Sequence, residues 1–341
     1  MHRVTFGIIN YNGAATLPLV IERLFAQEGV ETAGILLVDN ASPDGSAQSM
    51  RERFGDRVRV IDMGDNRGPN PARNRALREA QTDLVLLLDN DILFAPDYAA
   101  RLAAVFDQHP EAGAVTGQIR FHAEPERIQY NGADIHYAGE VVVNRAVHPT
   151  PFVVGTVSAG AALLDRRAAL DLGAYDEDLM FGWEDGDLTF RMTVCGHPCY
   201  AVSQAVCWHM SAGRSTKWVR LQVRNRWRFL MTHYDTRTFW LALPGILLYQ
   251  LCAGFFFAIK GQGGAFLGGC WDAVRSRSKI REKQKFVMAH KRVPDRQSLT
   301  GGALELPGAV QEKKALALFG KILSGLLHGW WLIIRPLLRR K

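Results

Sequence analysis

The sequence predicts an α/β fold, with a doubly wound, mostly parallel sheet flanked by helices and a helical extension at the C-terminus. Short apolar runs alternate with helical patterns near the start of the chain. An uncharged apolar run at residues 239–259 is followed by basic and apolar segments. The chain has 341 residues, of which 48% are apolar and 22% charged, a composition typical of a globular protein with a hydrophobic core.

The apolar runs near the start are short enough to be buried strands. Apolar residues at helical spacing follow Thr16, a candidate N-cap with Pro18 behind it. Strands that alternate with helices indicate βαβ units, because parallel strands need such crossovers. The predicted strands cover residues 4–9, 34–38, 58–63, 84–88, 114–119, 140–144 and 153–164, and helical patterns cover 17–25, 71–80, 167–195 and 216–233.

The composition changes after residue 235, so we predict a folded domain over residues 1–235 and a helical region over residues 236–341. The apolar run at 239–259 is long enough to span a bilayer. A shallow hairpin that turns in the glycine-rich stretch 261–269 is an alternative, and a buried core helix is another. A polar Gly/Pro linker is expected at 294–308.

The closing segment places Trp330 and Trp331 near four cations. This pattern is typical of a helix that lies on anionic lipid, so a membrane surface is a predicted partner. The cations are Arg335, Arg339, Arg340 and Lys341.

The formal net charge of +7 indicates an anionic partner. Nucleic acid is not expected, because the basic residues gather beside apolar segments of the tail. The five cysteines are an odd number, and the chain starts on a strand-like run without a signal-peptide pattern. These features predict a reduced, cytoplasmic environment.

Polar and acidic side chains follow each of the first four predicted strands. Ligands of doubly wound sheets bind at the carboxyl ends of the strands, so we expect these residues to form one site. Asp89-Asn90-Asp91 carries two carboxylates, which suit Mg²⁺ or Mn²⁺. A polar turn is the alternative for this motif taken alone. The strand-end residues are Asn10, Tyr11, Asn12, Asp39, Asp44, Asn66, Gly68, Asp89 and Asp91.

The order and spacing of these motifs resemble family 2 glycosyltransferases of the GT-A fold, over residues 3–235. The further motifs that carry the resemblance are Ala72-Arg73-Asn74, Ser158-Ala159-Gly160-Ala161 and Trp183-Glu184-Asp185. The chain looks most similar to rhamnosyltransferase-like members. The resemblance implies inverting transfer of a sugar from a nucleoside diphosphate donor (dTDP-rhamnose or a UDP-sugar) to a glycan or lipid-linked acceptor in cell-envelope glycan synthesis.

The resemblance also implies roles for individual residues. Asp39 would bind the nucleobase, Asp89 would lie near the ribose, and Asp91 would hold Mn²⁺ or Mg²⁺, with His209 as a second ligand. Arg73 and Arg75 are alternatives for a contact with phosphate or base. The other residues implied to line the nucleotide are Asn10, Tyr11, Asn12, Asn66 and Gly68.

Asp185 is implied to be the catalytic base. An attacking acceptor hydroxyl must lose its proton to a group within hydrogen-bonding reach, and Asp185 precedes a predicted helix at 186–194, whose N-terminus favours the ionised form. Simple helix capping is the alternative. Glu184, Trp183 and Arg224 are expected to contact the acceptor or the diphosphate, although a solvated helix face equally explains Arg224.

His209 precedes a Gly/Ser loop, residues 211–215, which is expected to touch the diphosphate. A structural role is the alternative for this histidine. Cys195, Cys199 and Cys207 would form a zinc site with His209, but the spacing is loose and buried thiols are the simpler explanation.

Two other functions are alternatives to an enzyme of this kind at the cytoplasmic face of the inner or plasma membrane. The intact acids Asp39, Asp89, Asp91 and Asp185 argue against an inactive nucleotide-binding scaffold. A nucleotidyltransferase would carry a basic, glycine-rich loop after the first strand, where this chain has Asn10-Tyr11-Asn12-Gly13.

Overall fold

The structure, a computed structural model, describes residues 1–210, 218–304 and 314–339, with the side chains of 314–316 left aside. The chain divides into two compact units. The first consists of Met1–Ala133, Val143–Thr193 and His197–Arg214, and the second of Asp134–Val142, Val194–Gly196 and Ser215–Lys341.

The strands of the described residues lie in two sheets. The larger sheet has the order β10-β12-β6-β11-β4-β1-β2-β3, with β5 paired to β12 and β7 to β6, and the smaller sheet has the order β13-β8-β9. The strands are β1 (Arg3–Asn10), β2 (Glu31–Asp39), β3 (Arg59–Asp62), β4 (Leu84–Asp89), β5 (Ile92–Phe94), β6 (Ala114–Phe121), β7 (Glu124–Tyr130), β8 (Ala133–His136), β9 (Glu140–Val143), β10 (Phe152–Val154), β11 (Ala161–Asp165), β12 (Cys199–His209) and β13 (Leu299–Thr300).

Helices flank the larger sheet and make up most of the second unit. Those of the first unit are α1 (Leu17–Phe25), α2 (Ser46–Phe54), α3 (Pro69–Glu79), α4 (Tyr98–Gln108), α5 (Arg166–Asp171) and α6 (Gly186–Val194). Those of the second are α7 (Val219–His233), α8 (Thr236–Ile259), α9 (Gly263–Arg275), α10 (Arg277–His290), α11 (Asp295–Ser298) and α12 (Lys314–Ile334).

The half of the sheet that contains β3, β2, β1 and β4 is parallel throughout. This confirms the doubly wound arrangement expected from the alternation of strands and helices. Strand β1 is buried on both faces, as a central parallel strand should be. Phe6 and Ile8 pack in one core with α1, whereas Gly7 faces α3, where an added Cβ would lie 2.9 Å from the Cβ of Ala76.

The other half of the sheet is mixed, because β11 runs antiparallel between β4 and β6. The apolar run at 153–164, expected to be one strand, is divided into β10 and β11. The residues between them include Gly160, whose carbonyl accepts a hydrogen bond of 3.1 Å from the Asp89 N–H. The segment between β10 and β11 therefore places its backbone directly against the end of β4.

The structure refines two expectations for the second unit. The turn between α8 and α9 falls at residues 260–262, at the start of the glycine-rich stretch. Most of the glycine-rich stretch 261–269 lies in α9, because Gly269 allows close packing: an added Cβ would be 2.5 Å from the Arg220 carbonyl oxygen on α7. The stretch expected as a linker begins with α11 and β13, and β13 pairs with β8. Asp295 and Leu299 there are 1% and 5% exposed, so α11 and β13 are each anchored to the protein by a buried residue.

The apolar run at 239–259 lies within α8, which continues through Pro244. Thr236–Ile259 and Ala317–Leu337 are each long and apolar enough to cross a membrane, judged by length and composition. Both are mainly unburied within the protein, at 22% and 28% buried. This agrees with a C-terminal extension that associates with a membrane.

Candidate active site

The strand ends of the parallel half-sheet meet as expected. Asn10 at the end of β1 is the register partner of Asp39 at the end of β2. The Asn10 side-chain amide donates to Asp39 Oδ1 at 2.6 Å and to Ser46 Oγ at 2.9 Å. Parallel pairing thus joins residues 29 positions apart in one polar cluster.

Asp39 is 3% exposed and is held by Ser42, which donates its N–H to Oδ2 at 2.9 Å and its hydroxyl to Oδ1 at 2.6 Å. Next to it, Asn40 donates its side-chain amide to the Gly68 carbonyl at 3.1 Å. Among the residues that the structure describes, none donates a hydrogen bond to the buried Asn40 Oδ1, although buried polar atoms are nearly always paired. This edge of the cluster therefore has acceptor capacity that a ligand donor would satisfy.

Asn90, the middle residue of the Asp89-Asn90-Asp91 motif, ties the motif to the end of β1. Its side-chain amide donates to Asn10 Oδ1 at 2.7 Å and to the Tyr11 carbonyl at 3.2 Å. Gly13 closes this junction, since an added Cβ would lie 2.3 Å from Asn10 Oδ1. The approach explains why glycine is needed at this position.

Arg73 on α3 faces Asp89. One guanidinium nitrogen lies 3.5 Å from Asp89 Oδ1, and the Arg73 side chain is 5% exposed. The Asp89 side chain is 43% exposed but lies in a recess, where desolvation raises the pKa of its carboxyl and the Arg73 charge lowers it, with a net rise. Arg75, by contrast, is 44% exposed and pairs with Glu79 at 2.8 Å. Of the two alternative arginines, Arg73 is the one beside the acids.

His209 is brought to Asp91 by strand pairing. β12 pairs with β5 so that His209 lies opposite Ile92, and the Met210 N–H donates to the Asp91 carbonyl at 2.9 Å. His209 Nε2 lies 3.2 Å from Asp91 Oδ2, and Nδ1 lies 3.0 Å from Gln129 Oε1. If Gln129 accepts the Nδ1 proton, the neutral imidazole presents the Nε2 lone pair towards Asp91.

The Asp91–His209 pair suits a divalent cation whose remaining coordination positions are filled by the bound substrate and water. The side chains of Asp91 and His209 are 20% and 28% exposed. Within residues 1–210, 218–304 and 314–339, no group of three or more His, Cys, Asp or Glu side chains is arranged to hold a metal. A Mg²⁺ or Mn²⁺ ion often binds through only one or two carboxylates together with substrate phosphates and water. The donor set therefore fits a cation shared with a diphosphate.

The loop before α6 carries Glu184 and Asp185 in an unusual backbone conformation. Phe181 and Trp183 have φ values of +52° and +66°, on either side of Gly182 at +86°. The left-handed region is rarely adopted by bulky side chains, and such residues persist where the surroundings hold them in place.

Asn70 on α3 supplies part of that support. Its side-chain amide donates to the carbonyl oxygens of Asp176 and Glu184, both at 2.9 Å, and its Oδ1 accepts from Arg73 at 3.1 Å. Asn70 is fully buried. One side chain therefore links the acidic loop to the arginine beside Asp89.

Asp185 lies at the N-terminus of α6, where its Oδ1 accepts from the Gly186 N–H at 2.8 Å. Burial raises the pKa of the Glu184 carboxyl, the neighbouring Asp185 charge raises it further, and Arg73 acts in the opposite direction. For Arg73, burial lowers the pKa, but Asp89, Asp185 and Glu184 outweigh it, so the pKa is raised and the guanidinium stays charged. The electrostatic coupling joins the acidic loop to the Asp89 side of the cluster.

The remaining predicted residues occupy loops around the cluster. Tyr11 is 47% exposed, and Asn12, at φ +57°, donates its N–H to Ser42 Oγ at 3.1 Å. Asn66 Oδ1 accepts from the Gly68 N–H at 3.1 Å, and Gly68 has φ +91°. These contacts shape the loops that follow β1 and β3.

Three further expectations concern Arg224, the Gly/Ser loop and the cysteines. Arg224 belongs to α7 of the second unit and donates to Asn225 at 2.9 Å. The Gly/Ser loop at 211–215 lies outside the described residues. Cys195, Cys199 and Cys207 are buried free thiols, and burial raises the pKa of the Cys199 and Cys207 thiols to about 12, which opposes the thiolate form that zinc requires.

Asn70, Asn90 and Gln129 were not predicted from the sequence. Asn90 lies inside the Asp89-Asn90-Asp91 motif, and Asn70 lies just before Ala72-Arg73-Asn74. Their closeness to these motifs is the signal from which a role in the site could have been predicted. Gln129 lies on β7, 80 residues before His209, and nothing in the local pattern indicates that contact.

Comparison with known proteins agrees with this geometry. The model for glycosyl transferase family 2 matches residues 5–170, which contain the strand ends and the Asp89-Asn90-Asp91 motif. The chain contains a glycosyl transferase family 2 domain. The family expected from the motifs is confirmed, and the rhamnosyltransferase-like subtype stays a prediction.

Two curated relatives come from bacterial polysaccharide synthesis. Poly-beta-1,6-N-acetyl-D-glucosamine synthase of Staphylococcus aureus (strain COL) is 25% identical over 209 residues, which are 60% of this chain and 49% of the synthase. The succinoglycan biosynthesis protein ExoO of Rhizobium meliloti (strain 1021) is 37% identical over 111 residues, 33% of this chain and 31% of ExoO. The chain thus spans about half or less of the length of these relatives.

The fold is shared with GalNAc-T7, solved with UDP, GalNAc and Mn²⁺. The TM-score is 0.63 at 17% identity, over 86% of this chain and 55% of GalNAc-T7. This similarity confirms the GT-A type of α/β fold.

Proposed function

We propose that the protein is an inverting, metal-dependent glycosyltransferase that moves a sugar from a nucleoside diphosphate donor to a polysaccharide or lipid-linked acceptor in cell-envelope glycan synthesis. One observation carries the proposal. The acids at the ends of β2 and β4 lie in one cluster with Arg73, which is coupled electrostatically to Glu184 and Asp185. Donor-binding and proton-accepting groups therefore belong to one site.

The nucleoside half of the donor is assigned to the edge formed by β1, β2 and the loop after β3. Asp39 and Asn40 supply acceptor oxygens for a base N–H, and the Gly68 backbone allows close approach. Asp89 is assigned to the ribose hydroxyls. Tyr11, Asn12 and Asn66 line the entrance from their exposed loops.

The diphosphate is assigned to the Asp91–His209 side. A Mn²⁺ or Mg²⁺ ion held there would neutralise charge on the leaving diphosphate. Asp91 and His209 provide the protein ligands, and Gln129 orients the imidazole.

The proposed chemistry is a single displacement. The acceptor hydroxyl oxygen attacks the anomeric carbon as the bond from that carbon to the phosphate oxygen breaks, and the electron pair leaves with the nucleoside diphosphate. Asp185 takes the hydroxyl proton, because its carboxylate lies in the acidic loop at the N-terminus of α6, where Oδ1 accepts from the Gly186 N–H. Glu184 and Trp183 flank the acceptor hydroxyl, and Arg224 is a candidate for a diphosphate contact.

Relatives support the chemical class. The Staphylococcus aureus relative is a poly-beta-1,6-N-acetyl-D-glucosamine synthase, and ExoO takes part in succinoglycan biosynthesis. GalNAc-T7 was solved with UDP and Mn²⁺. We propose a UDP-sugar or dTDP-rhamnose as the donor, and the cytoplasmic face of the inner or plasma membrane as the location.

A donor panel tests the proposal. Full-length protein is incubated with UDP-, dTDP- and GDP-sugars, with Mn²⁺, Mg²⁺ or EDTA, and the released nucleotide is measured. Metal-dependent release of nucleoside diphosphate is expected, and Asp91→Ala should abolish it while Asp97→Ala, at an exposed acid paired with Arg101, should not. Release of pyrophosphate would identify a nucleotidyltransferase, and binding without turnover of any donor would identify an inactive scaffold.

A further inference from the structure

The α8 helix has two different faces. Its exposed face carries a row of large apolar residues at helical spacing, between 44% and 72% exposed. The row consists of Trp240, Leu247, Leu251, Phe255 and Ile259. Exposed apolar area of this extent on a helix indicates a partner that is itself apolar.

The opposite face of α8 carries polar groups bound to the protein. The side-chain oxygen of Gln250 accepts from Arg226 on α7, and Arg226 also pairs with Glu140 at 3.0 Å. Gln250 and Thr238 are both buried. This face is therefore already occupied, and only the apolar row is available to a partner.

The neighbouring α9 repeats the pattern. Leu267, Trp271 and Val274 form an exposed apolar row. On another face, Asp272 pairs with Arg220 of α7 through two hydrogen bonds of 2.6 and 2.9 Å, and the Arg220 side chain is 57% exposed. A solvated ion pair thus lies one residue away from Trp271.

The α12 helix is also divided. Tyr137 stacks on Trp331 at 5.2 Å between ring centroids and donates its hydroxyl to the Leu327 carbonyl, so one face of α12 is packed on the protein. The exposed face carries Leu318, Ile322, Leu326 and Ile333.

These contacts disfavour a membrane-spanning α8. At 24 residues the helix is about 36 Å long, enough to cross a bilayer. A crossing helix would carry Gln250 with Arg226 and Glu140 into the hydrocarbon, and α9, packed on both α7 and α8, would bring the Arg220–Asp272 pair with it. Charged groups are expensive at that depth.

Charge and aromatic residues identify the surface that fits instead. Lys260 follows α8, Arg275 ends α9 with its guanidinium 5.7 Å from the Trp271 ring centroid, and α10 adds exposed cations. Those on α10 are Arg277, Lys279, Arg281 and Lys285. Tryptophan beside cations, next to apolar rows, matches the headgroup region of an anionic bilayer.

We propose that the second unit is held on an anionic membrane surface by the exposed apolar rows of α8, α9 and α12, which lie in the interface and do not cross the bilayer. This inference rests on the membrane association proposed above and adds its geometry. The apolar rows enter the headgroup boundary while the Gln250–Arg226–Glu140 contacts stay within the protein. Under this proposal, residues 239–259 neither span the bilayer nor form a buried core helix.

Labelling distinguishes lying from crossing. Arg237→Cys and Lys260→Cys place thiols at opposite ends of α8, in a background in which the half-buried Cys252 and Cys270 are serine. Right-side-out and inside-out membrane vesicles from expressing cells are treated with a membrane-impermeant maleimide. If α8 lies on the membrane, both thiols should react in one of the two vesicle preparations and neither should react in the other. A spanning helix would expose one thiol in each preparation, and this result would overturn the proposal.

Vesicle flotation tests the surface itself. Purified protein should float with phosphatidylcholine/phosphatidylglycerol vesicles more than with phosphatidylcholine alone. Leu251→Glu combined with Phe255→Glu should reduce binding roughly tenfold or more, because two exposed apolar side chains no longer enter the interface. Val147→Glu, at a residue 64% exposed in the first unit, is the matched control and should bind as wild type.

The experiments distinguish failure of the membrane-surface proposal from failure of the glycosyltransferase proposal. If the Leu251/Phe255 variant floats normally, or if it changes the oligomeric state by light scattering and leaves lipid binding intact, the membrane surface is wrong. Metal-dependent donor hydrolysis is measured on the same samples, so loss of the surface proposal leaves the glycosyltransferase proposal standing.

Discussion

Arg73 is the residue at which the charges of the candidate site meet. It is buried, lies 3.5 Å from Asp89, and is acted on by the charges of Asp185 and Glu184. A buried cation among acids compensates them, and its removal would leave uncompensated charge in a recess. The separation of Arg73 from Arg75 follows from helix geometry, since two residues turn an α-helix by roughly 200° and place the two side chains on opposite faces.

Substitution of Asp185 tests the assignment of the base. Asp185→Asn is nearly isosteric, so donor binding should survive while the transfer rate falls by roughly 10² or more, because the amide does not accept the acceptor proton. The measurements are single-turnover transfer rates and donor affinity by calorimetry.

Asp187→Asn is the matched control. Asp187 is a buried acid in the first turn of the same helix and pairs with Arg191 at 3.1 Å. This variant should lose thermal stability and keep its rate per folded molecule. A near wild-type rate with weakened donor binding in Asp185→Asn would instead assign Asp185 to binding.

Asn70 is expected to position the acidic loop. Asn70→Ala removes the donors to the Asp176 and Glu184 carbonyls and the acceptor for Arg73. We expect kcat to fall about 10- to 100-fold with little change in donor KM, because misplacement of a reacting group is costly. Steady-state kinetics with varied donor and acceptor separate the two parameters.

The control for Asn70 is another buried asparagine of the first unit. Asn131 donates to the Ala146 carbonyl and to Ser203 Oγ. Asn131→Ala should lose stability by about 1–3 kcal/mol, as for other lost buried hydrogen bonds, and keep kcat. Equal kcat losses in both variants would reduce the role of Asn70 to general stability.

Among the elements, the crossing of α7 and α9 depends on glycine. An added Cβ at Gly269 would lie 2.5 Å from the Arg220 carbonyl oxygen and 2.9 Å from the Val223 Cβ. Gly269→Ala should therefore destabilise the protein by about 1–3 kcal/mol through overpacking. Thermal or denaturant unfolding measures the change.

Gly264 in the same helix provides the comparison. Among the described residues, an added Cβ there meets no atom within 4 Å. Gly264→Ala should leave stability unchanged or raise it by up to about 1 kcal/mol, since alanine is the better helix former. Similar destabilisation in both variants would mean that α7 and α9 do not cross at Gly269.

At the scale of the whole molecule, a chain ending at Asp235 would cut through the second unit. Val219 and Val223 on α7 pack with Phe266 of α9, and Lys291 pairs with Asp235 at 3.7 Å. The sequence predicts a folded domain over residues 1–235. We now expect that shortened chain to aggregate, because it exposes the face of α7 that α9 covers.

Size-exclusion chromatography and thermal unfolding measure this outcome against the full-length protein in detergent. Arg237→Ala in the full-length chain, at an exposed residue just past the cut, is the control and should behave as wild type. A monodisperse 1–235 chain with unchanged unfolding temperature would show that α7 does not need α9. The functional division at residue 235 itself stays a prediction.

The sequence by itself determined the parallel half-sheet, the polar strand ends and the family. Burial on both faces leaves a continuous apolar run in a strand, and polar residues at its end are visible without knowledge of distant partners. The runs at 4–9, 34–38, 58–63 and 84–88 each correspond to a strand for this reason.

Only the tertiary structure decided which side chains meet. His209 reaches Asp91 because β12 pairs with β5, and Asn70 reaches Glu184 across 114 positions of the chain. The composition of α8 does not separate its two faces, because both are largely apolar. The contact between Gln250 and Arg226 identifies the face that packs on the protein. A local sequence pattern indicates which residues of a helix or strand are buried and with what periodicity. Contacts between distant residues depend on which face each helix or strand turns towards its neighbours when the elements pack together.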